Sequence, residues 1–189
     1  MASKFKVTFT LDEADADYFR RLYRKAKQGA ADQDRDKIIR EARAIVKEVR
    51  ASKKTPPFVT EAISVLADLT DLIQDEEYAA PRTVRTQVLA AIAYFSNPED
   101  LIPDHIPGLG FLDDAIMIKF IEDEFQHELW GYRRFRKLRD ESEQRPWSSV
   151  GRERLGQRLE ADRKKIRAAI AKREAKDAVK RKSPHYLGW

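Results

Sequence analysis

Apolar residues recur at three- and four-residue spacing in six successive stretches, and a proline or glycine stands between most of them. That punctuated periodicity points to an all-α fold, because each amphipathic stripe must find cover on a neighbouring helix. The first stretch sets Ala14, Phe19, Leu22, Tyr23 and Ala26 on one face and stops near Gly29. Thr10-Leu11-Asp12-Glu13 ahead of it reads as a capping box. The second runs from about Asp34 to Ala51 through Ile38, Ile39, Ala42, Ile45, Val46 and Val49, and Thr55-Pro56-Pro57 breaks it. The third runs from about Phe58 to Ile73, with Ala62, Ile63, Leu66, Leu69, Leu72 and Ile73 apolar. Pro81 suits the first turn of a fourth, where a missing amide costs nothing, and Val84, Val88, Ala91, Ile92 and Phe95 follow. The fifth passes through Ile116, Phe120, Phe125, Leu129 and Phe135 to about Leu138. Pro146 and Gly151 form a hinge-like stretch before a last helix, about Arg152 to Lys182, with a thin line of Leu155, Leu159, Ile166 and Ile170. The organisation read from this is a compact bundle of about five helices over 1–145. A basic helical extension with an aromatic tail occupies 146–189.

One short stretch departs from the helical period. Lys4 to Leu11 places Phe5, Val7, Phe9 and Leu11 on one side and Lys4, Lys6, Thr8 and Thr10 on the other, the alternation of a strand. Nothing else in the chain offers it a partner. Antiparallel pairing with the same strand of a second copy would set lysines near threonines and avoid facing like charges, so a homodimer is the expected state.

Charge and cysteine usage narrow the functional classes. The chain has no cysteine, which removes disulfides, thiolate nucleophiles and cysteine-ligated zinc, and fits a reducing compartment. The first residues lack the apolar run and cleavage site of a secretory signal. The most apolar stretch, Leu101 to Ile121, is interrupted by Asp104, His105, Asp113, Asp114 and Lys119, so no membrane span is expected and the reading is a soluble cytoplasmic protein. The net charge of +5 hides three blocks: 15 Lys/Arg against 9 Asp/Glu over 1–60, 3 against 15 over 61–130, and 19 against 8 over 131–189. Blocks of this kind bear on association rather than on fold.

The most distinctive segment is Tyr94-Phe95-Ser96-Asn97-Pro98-Glu99-Asp100-Leu101-Ile102-Pro103-Asp104-His105-Ile106-Pro107-Gly108-Leu109-Gly110-Phe111-Leu112-Asp113-Asp114. With its aromatic residue, Pro-x-Asp-Leu-Ile-Pro-Asp run, Ile-Pro, glycine and paired aspartates, it resembles the YkvA-like family, a bacterial domain of unknown function numbered 1232. The residues that carry the resemblance are Pro98, Asp100, Leu101, Ile102, Pro103, Asp104, Ile106, Pro107, Gly110, Asp113 and Asp114, within a region of about 88–123. The family brings no established catalytic residue. Some relatives look membrane-attached, which implies an apolar helix that this chain lacks. Physically, Asn97 suits a cap, Pro98 a first helical position, and Glu99 and Asp100 the positive end of a helix dipole. Pro103 ends that turn. A buried connector is expected, with Gly108 and Gly110 in conformations that side chains resist and Asp113 and Asp114 in the first turn of the fifth helix.

Two chemical readings compete at that connector. Asp104, His105, Asp113 and Asp114 supply donors suited to magnesium, manganese or calcium, while the same acids serve equally as helix caps and partners of Arg82, Arg85 or Lys119. Capping is the preferred reading, and no cofactor is assigned. Glu124 and His127 form one Glu-x-x-His step without the second copy that carboxylate-bridged bundles need, and Asp123–His127 reads as an exposed helical pair. No phosphate loop or nucleophile elbow is present. The basic last helix gives the stronger lead. Arg158, Arg163, Lys164, Lys165, Arg167, Lys172 and Arg173 are candidates for nucleic-acid contact or, less favoured, for an anionic membrane surface. Glu153, Glu160, Asp162, Glu174 and Asp177 between them also suit docking on the acidic middle of the chain or on a second copy. The leading reading is a non-enzymatic interaction or scaffold protein with a protein partner or self-association. A nucleic-acid-binding accessory protein is the alternative, and a metal-dependent enzyme built on the Asp-rich connector comes third.

Overall fold

Asp12, not Thr10, begins the first helix. Its carboxylate accepts from the Asp15 amide at 2.9 Å while Asp15 accepts from the Asp12 amide at 3.2 Å, so the reciprocal box lies two residues later than the Thr10–Glu13 pattern suggested. A computed structural model describes residues 10, 12–52, 55–96, 111–143 and 149–181. Among them the chain forms six α-helices and no strand: α1 Glu13–Gly29, α2 Arg35–Ala51, α3 Pro57–Gln74, α4 Arg82–Ile92, α5 Leu112–Glu143 and α6 Ser149–Arg181. Short 3-10 turns fill Ala30–Asp32 and Ala93–Ser96. The alternating stretch Lys4 to Leu11, apart from Thr10, lies outside the described residues, as do the connector 97–110, Pro146 and the aromatic tail.

Local chemistry sets most helix ends. Asp34 caps α2 by accepting from the Asp36 amide, and Pro57 opens α3 at its first position. Pro81 precedes the first helical residue of α4, one place earlier than expected, and its carbonyl takes the Arg85 amide. Gly151 lies inside α6, since that helix already starts at Ser149. Between α3 and α4 a tight turn forms in which Asp75 accepts the Tyr78 amide through its side chain and the Ala79 amide through its carbonyl. Ala79 there has φ +46°, the left-handed region usually left to glycine.

The helices neighbour one another in the order α2, α3, α5, α6, while α4 packs on α1, α2 and α3. α3 is the most apolar and buries residues on two sides, Val59, Ile63, Leu66, Leu69 and Ile73 among them. Its expected stripe is therefore buried almost throughout. In α1 only Phe19 and Tyr23 are fully covered, and Ala14 is exposed. α5 runs through the middle with Ile118, Ile121, Leu129, Tyr132 and Phe135 in the core. Its backbone kinks at Phe125, where φ −104° and ψ 16° leave helical space, and the Gln126 side-chain amide donates to the Asp123 carbonyl beside the kink.

Leu159, Ile166 and Ile170 bring α6 into the same core. They approach α5 at Gly131, where a built Cβ would lie 2.5 Å from Ile170 Cδ1 and 3.1 Å from Ile166 Cγ2. Glycine inside a helix costs roughly 1 kcal/mol relative to alanine, and close contact is what it gains here. Gly131→Val is expected to destabilise the protein by about 1–3 kcal/mol through overpacking, read as a lower midpoint in urea with an unchanged slope.

Candidate interaction surface

Residue Glu128 organises how the basic helix meets the bundle. Its side chain is 10% exposed, and both of its oxygens accept from Arg167 Nη1 at 2.7 and 2.6 Å. The Tyr78 hydroxyl donates to the same carboxylate at 3.1 Å, and the Arg167 guanidinium lies 4.4 Å from the centre of the Tyr78 ring. Arg163 donates to the Glu77 carbonyl at 3.1 Å, His127 lies 2.9 Å from Asp177, and Arg173 stacks 3.9 Å over Trp130. Burial, then the Glu128 charge, pushes the Tyr78 hydroxyl well above the ordinary phenol value, while Arg167 opposes the shift.

The candidate nucleic-acid residues consequently part into two sets. Arg163, Arg167 and Arg173 are engaged with the bundle, whereas Arg158, Lys164, Lys165 and Lys172 are exposed on the far side of α6 with Lys176. Two of these lysines also pair along their own helix, Lys164 with Glu160 at 2.8 Å and Lys165 with Asp162 at 3.5 Å.

Glu124 and His127 do not converge. Glu124 accepts from the Tyr23 hydroxyl at 2.8 Å and from Lys27 at 2.7 Å, tying α1 to α5, while His127 faces α6. The expected helical pair Asp123–His127 is replaced by Lys119 with Asp123 and His127 with Asp177. Lys119 also bonds Glu122. Asp113 and Asp114 are buried in the first turn of α5, as read from the sequence. Asn97, Pro98, Asp100, Pro103, Asp104, His105, Pro107 and Gly110 lie outside the described residues. Just after that stretch, the buried Phe111 is left-handed at φ +66°, and its carbonyl takes the Ala115 amide. Among the described residues no three His, Asp or Glu side chains converge as a metal site, and no helix is long and apolar enough to cross a membrane.

Two ties escaped the sequence reading. Asp68 on α3 receives both Arg133 and Arg136 at 2.7 Å, and Arg139 bridges Asp75 and Glu77. Tyr78, fully buried in a turn, belongs to no periodic stripe. The three-residue step from Arg133 to Arg136 was the available sign that one helix face repeats a base.

Residues 84–120 match the family model described as a protein of unknown function (DUF1232). Over 59 residues it is 46% identical to the "Uncharacterized membrane protein YkvA" of Bacillus subtilis (strain 168), covering 30% of this chain and 56% of that protein. The chain thus spans little more than half of the curated relative's length. No solved structure matches it. The family segment ends inside the first half of α5, so Glu128, Trp130 and all of α6 lie beyond it.

Removing one member of a buried ion pair costs about 3–5 kcal/mol, whereas replacing both by apolar residues is often neutral. Glu128→Leu is accordingly expected to destabilise the fold strongly, and Glu128→Leu with Arg167→Met to regain most of the loss in chemical denaturation. The raised Tyr78 and Tyr23 hydroxyls add a pH dependence. Their folded-state values lie above the unfolded value of about 10, so their contribution is complete below pH ~10 and is lost as pH climbs beyond it. Stability measured from pH 8 upward should fall above about 10, and less steeply in Tyr78→Phe than in the parent.

Proposed function

We propose that this is a non-enzymatic, cytoplasmic interaction protein in which α6 is fastened by one face and presents the other to an acidic protein partner. The division of α6 carries the reading: Leu159, Ile166, Ile170, Arg163 and Arg167 engage the bundle, while Arg158, Lys164, Lys165, Lys172 and Lys176 face solvent from a helix already held in place. A preformed row of cations loses little freedom on binding and steers an acidic surface toward it. Nucleic acid is the second reading, favoured by the same five cations. The curated relative, named as a membrane protein, adds anionic lipid as a surface to test.

Pull-down from lysate with and without nuclease separates these readings, using the full chain and the triple variant Lys164→Glu, Lys165→Glu, Lys172→Glu. Capture of one protein species that survives nuclease and is lost in the variant is the expected outcome. Retention on duplex DNA that falls with salt at a logarithmic slope approaching about −4.5, the value for five phosphate contacts, would transfer the function to nucleic acid. Unchanged capture by the variant would remove α6 as the binding face.

A further inference from the structure

The first halves of α3 and α5 leave an apolar groove of about 330 Å³ between them. Val65, Ala115 and Ile118 are buried beneath it, Ala62 and Ile116 are half-buried along its sides, and Phe58 stands 45% exposed at its edge. Apolar surface gathered in this way is costly to leave in water. Two acids, Glu61 and Glu122, share the rim with one base, Lys119. Lys119 already lies 2.9 Å from Glu122 and 3.4 Å from Asp123, while Glu61 has no ion-pair partner among the described residues. The groove therefore suits an apolar occupant that brings a cation.

The placement of α1 shows where such an occupant starts. The Phe19 and Phe120 rings stack 6.3 Å apart, and four residues further along each helix the Tyr23 hydroxyl donates to Glu124 at 2.8 Å. The two helices thus run the same way and begin at the same end. One turn back from the stacked rings stand Asp15 on α1 and Ile116 on the groove wall. The chain accordingly enters α1 level with the groove.

We propose that the alternating segment Lys4 to Leu11 fills this groove in its own chain. Extended, its eight residues span about 26 Å, more than twice the roughly 10–12 Å diameter of the helix to be crossed. Phe5, Val7 and Phe9 share one side of the extended segment, and Lys4 and Lys6 share the other. With the apolar side turned inward, a lysine stem bends over the edge to bring its ammonium to Glu61. Other occupants fit less well. The connector over 97–110 brings Glu99, Asp100 and Asp104 to an acidic rim, and the tail over 183–189 has no lysine or arginine. The same segment of a second copy must compete with a tethered one whose local concentration is in the millimolar range.

With no cysteine in the chain, an introduced thiol reports on one place. In the full chain, Ala62→Cys sets a thiol on the groove wall, and its rate of labelling by a maleimide follows the fraction of time the groove stands open. Adding Phe5→Ser, Val7→Ser and Phe9→Ser is expected to speed labelling at least about tenfold, because the apolar contacts are lost. Adding Lys4→Glu and Lys6→Glu instead should speed it about threefold, the scale of an exposed ion pair. Ala161→Cys, on the exposed side of α6, should label at one rate in all three backgrounds. Should the serine background quicken that control too, the lysine pair decides alone, and no change at position 62 would overturn the proposal. Equal labelling at position 62 with and without the three apolar residues would also overturn it, whether the groove lies open or the connector or tail covers it. Protection that fades on dilution would do the same, by giving the groove to a second copy.

Discussion

A carboxylate removed from water must be paired, and Glu128 is where this fold meets that requirement. It sits on the central helix, facing away from the solvent stripe, among residues that bury Tyr132 and Phe135. Its partners arrive from two places distant in sequence, Tyr78 from the turn after α3 and Arg167 from the middle of α6. Neither the turn nor the last helix can shift far without leaving a charge uncompensated. The apolar contacts at Leu159, Ile166 and Ile170 give area, and the ion pair fixes register along the helix.

The same device recurs around α5. Glu124 holds α1 through Tyr23 and Lys27, Asp68 brings α3 to Arg133 and Arg136, and Arg139 reaches the turn at Asp75. Much of the acidic middle of the chain is thus spent on the basic segments at either end, and the three charge blocks resolve into contacts between neighbouring helices. What remains outward is ordered by face, with cations on the far side of α6.

Helix periods and breakers made most of this legible before any coordinates. Proline positions put the ends of α3 and the start of α4 within a residue or two, whereas α4 gives way to a 3-10 turn at Ala93, short of the expected end before Asn97-Pro98; the stripes of α2 and α3 are largely buried. Capping was less readable, because Thr10 with Glu13 and Asp12 with Asp15 both satisfy the pattern and only the backbone path chooses between them. The length of α5 was underestimated. Its covered sides leave no narrow stripe, and its last turns are polar, so periodicity fades before the helix ends. The basic helix showed its charge but not its orientation, since a row of arginines reads the same whether it faces a partner or a buried glutamate. Tyr78 gave no signal, for a single aromatic in a turn has no period. The long Asp- and Pro-rich segment showed what it resembles without revealing its chemistry.

The break at Phe125 divides α5 into two members with separate attachments. The first carries the end of the family segment and the tie to α1. The second carries Glu128, Gly131 and the arginines that meet α3. An unbroken helix would transmit torsion as a stiff rod, so a disturbance at one end would be felt at the other. With the backbone kinked at one residue, the rod becomes a splice: the load on each part is borne by its own neighbours. Replacing α6, or changing what grips it, therefore need not disturb the geometry in which Asp113 and Asp114 are set.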